Sequence, residues 1–459
     1  MRNTFEWLLD HAAAVFARGS PKTFRKRPDA HRTLLQVEQL EARLTPSAFT
    51  WTDGSGDKKW ETPGNWSGGA TGDYPGKSRT TDTVTFDSSK SNDNVTMSTA
   101  ALTIATLTVN NYTGTITLNQ NLTMNTGGSM NAGTIVQGAG SGPIGTSLMF
   151  SGGTFAWSGG NINYTGTGLW VGILSISSGA EVDFTNTTAN TTVHLGDNVS
   201  NGGTLKLANT YPVELDITPT IENLPGGRIN ITVTNTSGLV LPSPTATVTT
   251  ILNSGTIEKT TASSDQYDIA DSVSNEASGA ILQVDAGTLQ FDRGDPAAPH
   301  WGIVQTSGKI QVSVGAKLAA PYNINVSAGT IQTDGNNGTA KISGKLTMSG
   351  GLLQVGDGSD PNVFLALDSN FTWSGGTVSL VYNLTTSTGS SILVTGNVTV
   401  GATGTILTVA FVGTGAGPGE FYPILTFGGG SVSNVAASNN VTGYTASIDA
   451  DGDYLLTKN

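Results

Sequence analysis

One short element recurs along this chain and constrains its fold more than any other feature: Gly-Thr followed by an apolar residue. Glycine reaches the positive φ values that sharp turns need, and Thr followed by Ile, Leu, Val or Phe favours a pleated strand. The first copies follow one another at short, nearly equal intervals, and the later copies lie farther apart and are unevenly spaced. The nine copies begin at Gly114, Gly133, Gly153, Gly203, Gly255, Gly287, Gly329, Gly376 and Gly404.

A turn followed by so short a strand cannot bury an apolar face alone, whereas similar coils stacked on one another bury a continuous core. The spacing therefore predicts an all-β fold, a single-stranded parallel β-helix (β-solenoid) with degenerate coils of about 20 residues. The alternative is a series of antiparallel β-sandwiches of about 100 residues each, for which the sequence shows neither clear linkers nor long alternating strands. Asn-rich corners such as "NGGT" at 201–204 fit left-handed turns and are expected to stack as amide ladders.

Composition agrees with many short strands joined by tight turns. Glycine accounts for 60 of the 459 residues, and charged residues make up 12% against about 25% in an average domain. Hydrophobic residues make up 37% and are well dispersed, which argues against disorder. The chain contains no cysteine, and this excludes disulfides, Cys-ligated zinc and thiol catalysis.

The net charge of −12 is distributed unevenly. Residues 1–45 carry eight Lys/Arg and five Asp/Glu, so the rest of the chain is strongly acidic. An acidic body poor in Lys and Arg is expected to repel nucleic acid and anionic membranes. No apolar run approaches the length of about 18 residues that a transmembrane helix needs, so we expect no transmembrane segment.

The pattern divides the chain into four segments. Residues 1–47 read as a basic leader with two short helices, followed by a Trp-rich cap with the first coils at 48–90, the solenoid at 91–410 and a β-rich C-terminal cap at 411–459. In the last segment, "DGD" at 451–453 lies between two apolar runs and predicts an antiparallel hairpin.

Two stretches resemble a known class of protein. "LLQVEQLEARLTPS" at 34–47 resembles the leader of large exported proteins of planctomycete bacteria, with Leu40, Glu41, Arg43, Pro46 and Ser47 at the matching positions. The layout of Trp51, Trp60, Asn65-Trp66 and Pro75 is similar to the opening unit of bacterial β-helical surface proteins with autotransporter-associated repeats. The resemblance implies export to the cell surface or exterior, and a cap followed by the first coils of a β-helix. The alternatives are a helix that docks on the first coil and, for the tryptophans, a sugar-stacking platform.

The sequence contains few residues in patterns that carry catalytic or metal-binding chemistry. The four histidines lack metal-ligand spacing, and His194, with Asp197 nearby, reads as a strand or corner residue. Acidic residues cluster at Gly/Pro turns, where Asp is expected for backbone reasons, and the "RGD" at 293–295 is explained by the composition of a loop. We therefore predict no catalytic, cofactor-binding or metal-ligating residue. The other residues of a type suited to such roles, for which we also predict none, are His11, His31 and His300, Asp292 and Asp295 with Arg293, and Asp357 with Asp360.

A near-duplicate element, "FAWSGGNINY" at 155–164 and "FTWSGGTVSL" at 371–380, also has two interpretations. Phe and Trp two residues apart on a strand point to the same side, which is either a ligand platform or the core. The thin coils of a solenoid favour the core, since aromatic side chains carry much of the burial. Burial of Trp157 and Trp373 tests this prediction.

These patterns favour a non-catalytic, secreted or cell-surface β-solenoid with a structural or adhesive role. Its expected partners are extracellular polysaccharide, the cell envelope or other cells. The alternative is a carbohydrate-active enzyme or carbohydrate-binding protein of the lyase or hydrolase type, which needs carboxylates converging in one groove.

Overall fold

The computed structural model describes residues 45–459 apart from 139–144, 165–171, 186–192, 209–210, 212, 216–219, 234–238, 241–249, 262–265, 270–271, 292–301, 336, 357–361, 384–387, 402–404, 413–421, 428–443, 449–453 and 459. The predicted helices of the leader lie outside these residues. Pro46–Asn459 forms one compact unit. Within the described part of this unit, no helix has the length and hydrophobicity that crossing a bilayer requires.

Parallel strands stack into three faces, which the chain visits in the order face 1, face 2 and face 3 before starting the next coil. Strands of face 1 are Ala48–Trp51, Thr83–Asp87, Gly153–Trp157, Ala180–Phe184, Thr204–Leu207, Arg228–Ile231, Thr256–Lys259, Ile281–Val284, Lys309–Ser313, Thr330–Asp334 and Thr405–Val412. Strands of face 2 are Val95–Met97, Thr115–Leu118, Thr134–Gln137, Gly160–Tyr164, Val193–Gly196, Val213–Leu215, Leu239–Val240, Gln266–Ile269, Thr288–Phe291, Val363–Leu367, Ser391–Val394 and Tyr422–Phe427.

Face 3 completes each coil and contains Ser147–Phe150, Ile173–Ile176, Asn198–Asn201, Ile221–Asn223, Thr250–Asn253, Ser272–Asn275, Gly302–Gln305 and Val398–Val400. Some strands bend at a corner and serve two or three faces: Leu102–Asn110, Leu122–Met130, Lys317–Val326, Gly338–Val355 and Phe371–Asn383. The short strands Trp66–Ser67 and Thr388–Gly389 pair antiparallel at the margins, and Pro63–Asn65 forms one 3₁₀ turn. The parallel stacking confirms the β-solenoid and excludes the series of sandwiches.

The Gly-Thr element falls on two faces, and this explains its uneven spacing. Six copies lie on face 1, while those at 114–116, 133–135 and 287–289 lie on face 2. The step from the copy at Gly133 to the copy at Gly153 leads from face 2 to face 1, so it covers less than one coil.

Coil length varies along the solenoid. Lys309 and Thr330 are partners one coil apart on face 1, and Thr377 and Ile406 are partners one coil apart farther along, where the intervening chain is longer. Most coils are longer than the predicted length of about 20 residues. The predicted length was too short because it counted the partial step between Gly133 and Gly153 as a full coil.

Strict alternation builds the core. In Thr115–Leu118, for example, Ile116 and Leu118 are buried while the two threonines face outward. Residues at equivalent positions of successive coils stack on one another, so that Ile116 lies against Ile135 in the next coil. Burying each such side chain stabilises the fold by about 1.5–3 kcal/mol before entropy is subtracted.

Aromatic rings close the N-terminal end of the core. Trp51, Trp60 and Trp66 are buried, and Trp66 packs edge-on against the other two at centroid distances of 5.1 and 4.9 Å. Phe86, from the next face 1 strand, lies 5.7 Å from the ring of Trp60. The ring nitrogens of all three tryptophans donate to backbone carbonyls. These contacts place the three tryptophans in a small aromatic core and leave none of their rings exposed as a stacking platform.

The near-duplicate elements also bury their aromatic side chains. Trp157 is fully buried and Trp373 is 7% exposed, which confirms that both belong to the core. The Trp157 ring lies 5.1 Å from Phe184 of the next coil, and Trp373 stacks on Phe371 at 6.4 Å. The first copy turns from face 1 to face 2, whereas the second turns from face 3 to face 1.

Both copies form the same type of turn, although they lie at different corners of the coil. The serine hydroxyl after each Trp donates to the carbonyl of a methionine one coil earlier, Ser158 to Met130 at 3.4 Å and Ser374 to Met348 at 3.1 Å. The second glycine of each copy has a positive φ, +90° for Gly160 and +87° for Gly376. The shared sequence therefore encodes a turn that is independent of the face it joins.

The C-terminal end departs from parallel pairing. Tyr422–Phe427 extends face 2 and pairs antiparallel with Tyr454–Lys458, which in turn pairs antiparallel with Tyr444–Ile448. The predicted hairpin is therefore confirmed by its two strands, and its turn at 449–453 lies outside the described residues. An antiparallel addition of this kind covers hydrogen-bonding groups at the edge of a stacked sheet.

Candidate functional surface

Most of the charged candidates lie outside the described residues: His11, His31, His300, Asp292, Arg293, Asp295, Asp357 and Asp360. The remaining histidine, His194, faces outward from the face 2 strand Val193–Gly196, as expected of a strand residue. Asp197, three residues later, is fully buried at the following corner. The described part of the chain contains no group of three His, Asp or Glu side chains that could hold a metal ion.

Sugar-stacking platforms need exposed aromatic faces, and the tryptophans proposed for that role are in the core. A shallow recess of about 370 Å³ is lined by Tyr112, Thr113, Asn131, Ala132, Gly133, Thr134, Gly160 and Asn161. None of these residues ionises near neutral pH, and Tyr112 is buried, with its hydroxyl donating to the carbonyl of Asp93. The recess therefore offers neither acid–base groups nor a stacking ring.

An amide ladder runs inside the solenoid at the end of the face 3 strands. In each of the first four members the side-chain nitrogen donates to the side-chain oxygen of the member in the next coil, at distances from 2.6 to 3.0 Å. Each nitrogen also donates to the backbone carbonyl of the first residue of a face 1 strand, the one that lies one coil beyond the strand directly following it, at distances from 3.0 to 3.2 Å. The ladder consists of Asn201, Asn223, Asn253, Asn275 and Gln305, all buried.

The ladder confirms the expectation for the "NGGT" corner, since Asn201 is its first member. It also fixes the alignment of five coils, because a shift of one residue turns the amides away from the inward side and breaks the bonds between them. The ladder ends at the Oδ1 of Asn201, which is buried and accepts no hydrogen bond from the described part of the chain. The residue one coil earlier at this position is Ile176, so the ladder has no partner to continue it.

A buried lysine is a feature that sequence reasoning missed. Lys259 occupies an inward position of face 1 between Ile231 and Val284 and is 1% exposed. Its Nζ donates to the hydroxyl and carbonyl of Thr261 at 3.3 and 3.4 Å, and that hydroxyl donates to the carbonyl of Val233 at 2.8 Å. Buried ammonium groups require such acceptors. The apolar alternation around "TIEK" gives no signal for it.

The outward side of face 1 carries a regular polar pattern in four consecutive coils. Gln283, Gln311, Gln332 and Gln354 stand one above another, so their spacing is that of neighbouring strands, about 4.8 Å. Two residues farther along the strands, Asp285, Ser313 and Asp334 form a second column. We call these seven residues the amide–carboxylate stripe.

The stripe is held in place by its own hydrogen bonds. Gln311 donates to Asp334 at 2.7 Å, Gln283 donates to Asp285 at 2.8 Å, and the hydroxyl of Ser313 donates to Asp285 at 3.2 Å. All the side chains involved are partly exposed. The stripe therefore presents fixed donors and acceptors of the type that bind hydroxyl groups. It was not predicted, because the four glutamines are aligned only when the exact coil lengths are known.

Ion pairs precede the stripe on the same face. Lys206 donates to Asp183 at 2.6 Å, and this hydrogen bond raises the pKa of the lysine. Arg228 binds Glu258 through two nitrogens, and the pair likewise raises the pKa of the guanidinium. Each pair joins neighbouring coils. Because each pair links side chains of two coils, it supports the stacking of the coils.

No protein-family model matches this chain. The curated proteins also contain no significant match to it.

Proposed function

We propose that this protein is a non-catalytic, secreted or cell-surface β-solenoid with a structural or adhesive role. The observation that carries the proposal is the repeated contrast between the two sides of the strands. Inward side chains form continuous apolar columns reinforced by the amide ladder, and outward side chains form polar columns dominated by Thr, Asn, Gln and Ser. A stiff support that displays repeated polar groups suits contact with an extended partner.

Two further features support this role. The resemblance of residues 34–47 to planctomycete leaders supports export, and so supports extracellular polysaccharide, the cell envelope or other cells as partners. The ion pairs of Lys206 with Asp183 and of Arg228 with Glu258 each join one base and one acid of neighbouring coils, an arrangement that suits stacking of coils better than acid–base catalysis.

The test is an adhesion assay with the purified full chain immobilised on beads. We expect retention of cells or of insoluble cell-envelope polysaccharide, without release of reducing or unsaturated sugar ends during long incubation. Release of such ends in proportion to protein concentration would refute a non-catalytic role. Absence of retention on every surface would refute adhesion.

A second candidate, carbohydrate binding, is favoured by the amide–carboxylate stripe. Amides and carboxylates aligned along one face match the hydroxyl groups of an extended polysaccharide. Replacing Gln311 and Gln332 together by Ala should weaken retention of the polysaccharide at least tenfold. The matched control replaces Asn325 and Thr347, which are outward neighbours on face 3 in nearby coils, and should leave retention unchanged. Equal loss in both double variants would show that the stripe is not the binding surface.

A further inference from the structure

A buried carboxyl group lies at the corner between faces 2 and 3. Asp197 directly follows the strand Val193–Gly196 and is fully buried, as is Gln137 at the end of an earlier face 2 strand. The side chains reach each other past the intervening coil, and Gln137 Nε2 donates to Asp197 Oδ2 at 2.6 Å. This hydrogen bond joins two residues that are 60 positions apart in the sequence.

The other oxygen of each side chain is buried and has no hydrogen-bond donor among the described residues. These atoms are Asp197 Oδ1 and Gln137 Oε1. Both border the space beside Gly172: a Cβ on that glycine would lie 2.5 Å from Asp197 Oδ1 and 3.1 Å from Gln137 Oε1. Two buried acceptor oxygens that border the same space repel each other unless a hydrogen atom lies between them.

One proton satisfies both oxygens. If Asp197 Oδ1 carries it, the hydroxyl donates to Gln137 Oε1, and the amide Nε2 continues to donate to Asp197 Oδ2. The acid and the amide then form a closed pair with two hydrogen bonds and no net charge, which is the form that a dry site favours. We propose that Asp197 is a neutral carboxylic acid in such a reciprocal pair with Gln137, and that release of its proton to water loosens this corner of the solenoid.

The electrostatic surroundings agree with the geometry. Burial raises the pKa of Asp197 to about 7, and the hydrogen bond from Gln137 only partly opposes this. Tyr164 occupies the coil between the two partners, and His194 points to the outer side of the strand before Asp197. Among the described residues, no Lys or Arg forms an ion pair with this carboxyl group.

The direction of the pH effect follows from the raised pKa. The folded protein holds a proton that the unfolded chain releases near pH 4, so the stabilisation is complete below that pH. It is lost as the pH rises through about 7. Between these limits, ionisation of this one group makes the unfolding equilibrium constant rise about tenfold for each unit by which the pH increases.

The experiment measures denaturant unfolding of the full chain between pH 4.5 and 8.5, for the wild type and for Asp197→Asn. The asparagine keeps the shape and can pair with Gln137 but cannot titrate. Between pH 5 and 6.5, the unfolding equilibrium constant of the wild type should rise with pH more steeply than that of Asp197→Asn. The difference should be about tenfold per pH unit, which corresponds to one proton. Asp57→Asn, which removes an exposed carboxylate whose hydrogen bonds lower its pKa, should keep the wild-type slope in this range. Equal slopes for the wild type and Asp197→Asn would overturn the proposal.

A second measurement needs no variant and remains informative if Asp197→Asn fails to fold. In wild-type protein labelled with ¹³C at the aspartate carboxyl carbons, one carboxyl signal should titrate near neutral pH. If every aspartate signal titrates below pH 5, Asp197 is ionised in the folded protein and the reciprocal pair does not exist.

Discussion

The amide ladder makes a graded prediction, because its members differ in the number of hydrogen bonds they make. Asn223, in the middle, donates to Asn253 at 2.7 Å and to the carbonyl of Thr256 at 3.2 Å, and it accepts from Asn201 at 2.8 Å. Asn201, at the end, donates to Asn223 and to the carbonyl of Arg228, but its own oxygen accepts no hydrogen bond from any described residue.

The expected cost follows from counting these bonds. Asn223→Ala removes three bonds of about 1 kcal/mol each and leaves the Asn253 oxygen without a donor, which adds about 1 kcal/mol, so we expect a loss of about 4 kcal/mol. Asn201→Ala removes two bonds and also leaves one ladder oxygen without a donor, but it deletes an oxygen that already lacked one. Its expected cost is about 2 kcal/mol.

Hydrogen exchange read by mass spectrometry on peptides from 221–259 is the suitable assay, since long repeat arrays do not always unfold in a single step. Denaturant unfolding gives the global value. Asn325→Ala, at an outward and partly exposed position, serves as the control and should change stability by less than about 0.5 kcal/mol. If Asn201→Ala and Asn223→Ala cost the same, or if neither exceeds the control, the ladder does not stabilise the coils in the way its bonding indicates.

Other substitutions test separate features of the fold. Trp157→Ala empties a fully buried site and should cost about 3–5 kcal/mol in denaturant unfolding; a loss below about 1 kcal/mol would show that this ring is not part of a packed core. Gly160→Ala should be more destabilising than Gly179→Ala, because both residues have positive φ but only at Gly160 would the new Cβ lie near backbone, 2.6 Å from a carbonyl oxygen; equal thermal midpoints would contradict this. Hydrogen bonds lower the pKa of the exposed Asp57, so its stabilisation is present above pH 4 and declines as the pH falls further. The difference in free energy of unfolding between the wild type and Asp57→Asn should therefore become smaller in acid. A constant difference from pH 7 to pH 2.5 would contradict the lowered pKa of Asp57.

The fold could be predicted from the sequence because one local rule repeats. Gly-Thr followed by an apolar residue specifies a turn and a half-buried strand wherever it occurs. The same rule could not show that the copies belong to two different faces, since spacing alone does not distinguish a full coil from part of one. The copies at Gly133 and Gly153 illustrate this, because the interval between them suggested a coil length that was too short for most of the solenoid.

The buried polar sites could not be predicted because they depend on alignment between distant coils. Asn201 was recognisable in its corner, but Gln305 belongs to the same ladder although it lies in a sequence with no Asn-rich turn. The pairing of Asp197 with Gln137 bridges 60 residues, and each side chain taken alone looks like an ordinary polar turn residue. Only the sum of all the intervening coil lengths brings these groups together.

The direction of the hydrogen bonds has a mechanical consequence. Bonds between stacked parallel strands run across the strands, which in a solenoid means along its long axis, and the bonds of the amide ladder run the same way. A pull on the two ends of the solenoid therefore loads all coil boundaries in series, and the chain lengthens as the weaker boundaries open first. Between Asn201 and Gln305 each boundary carries an additional buried amide bond. Under tension, this central stretch should be the last to unravel.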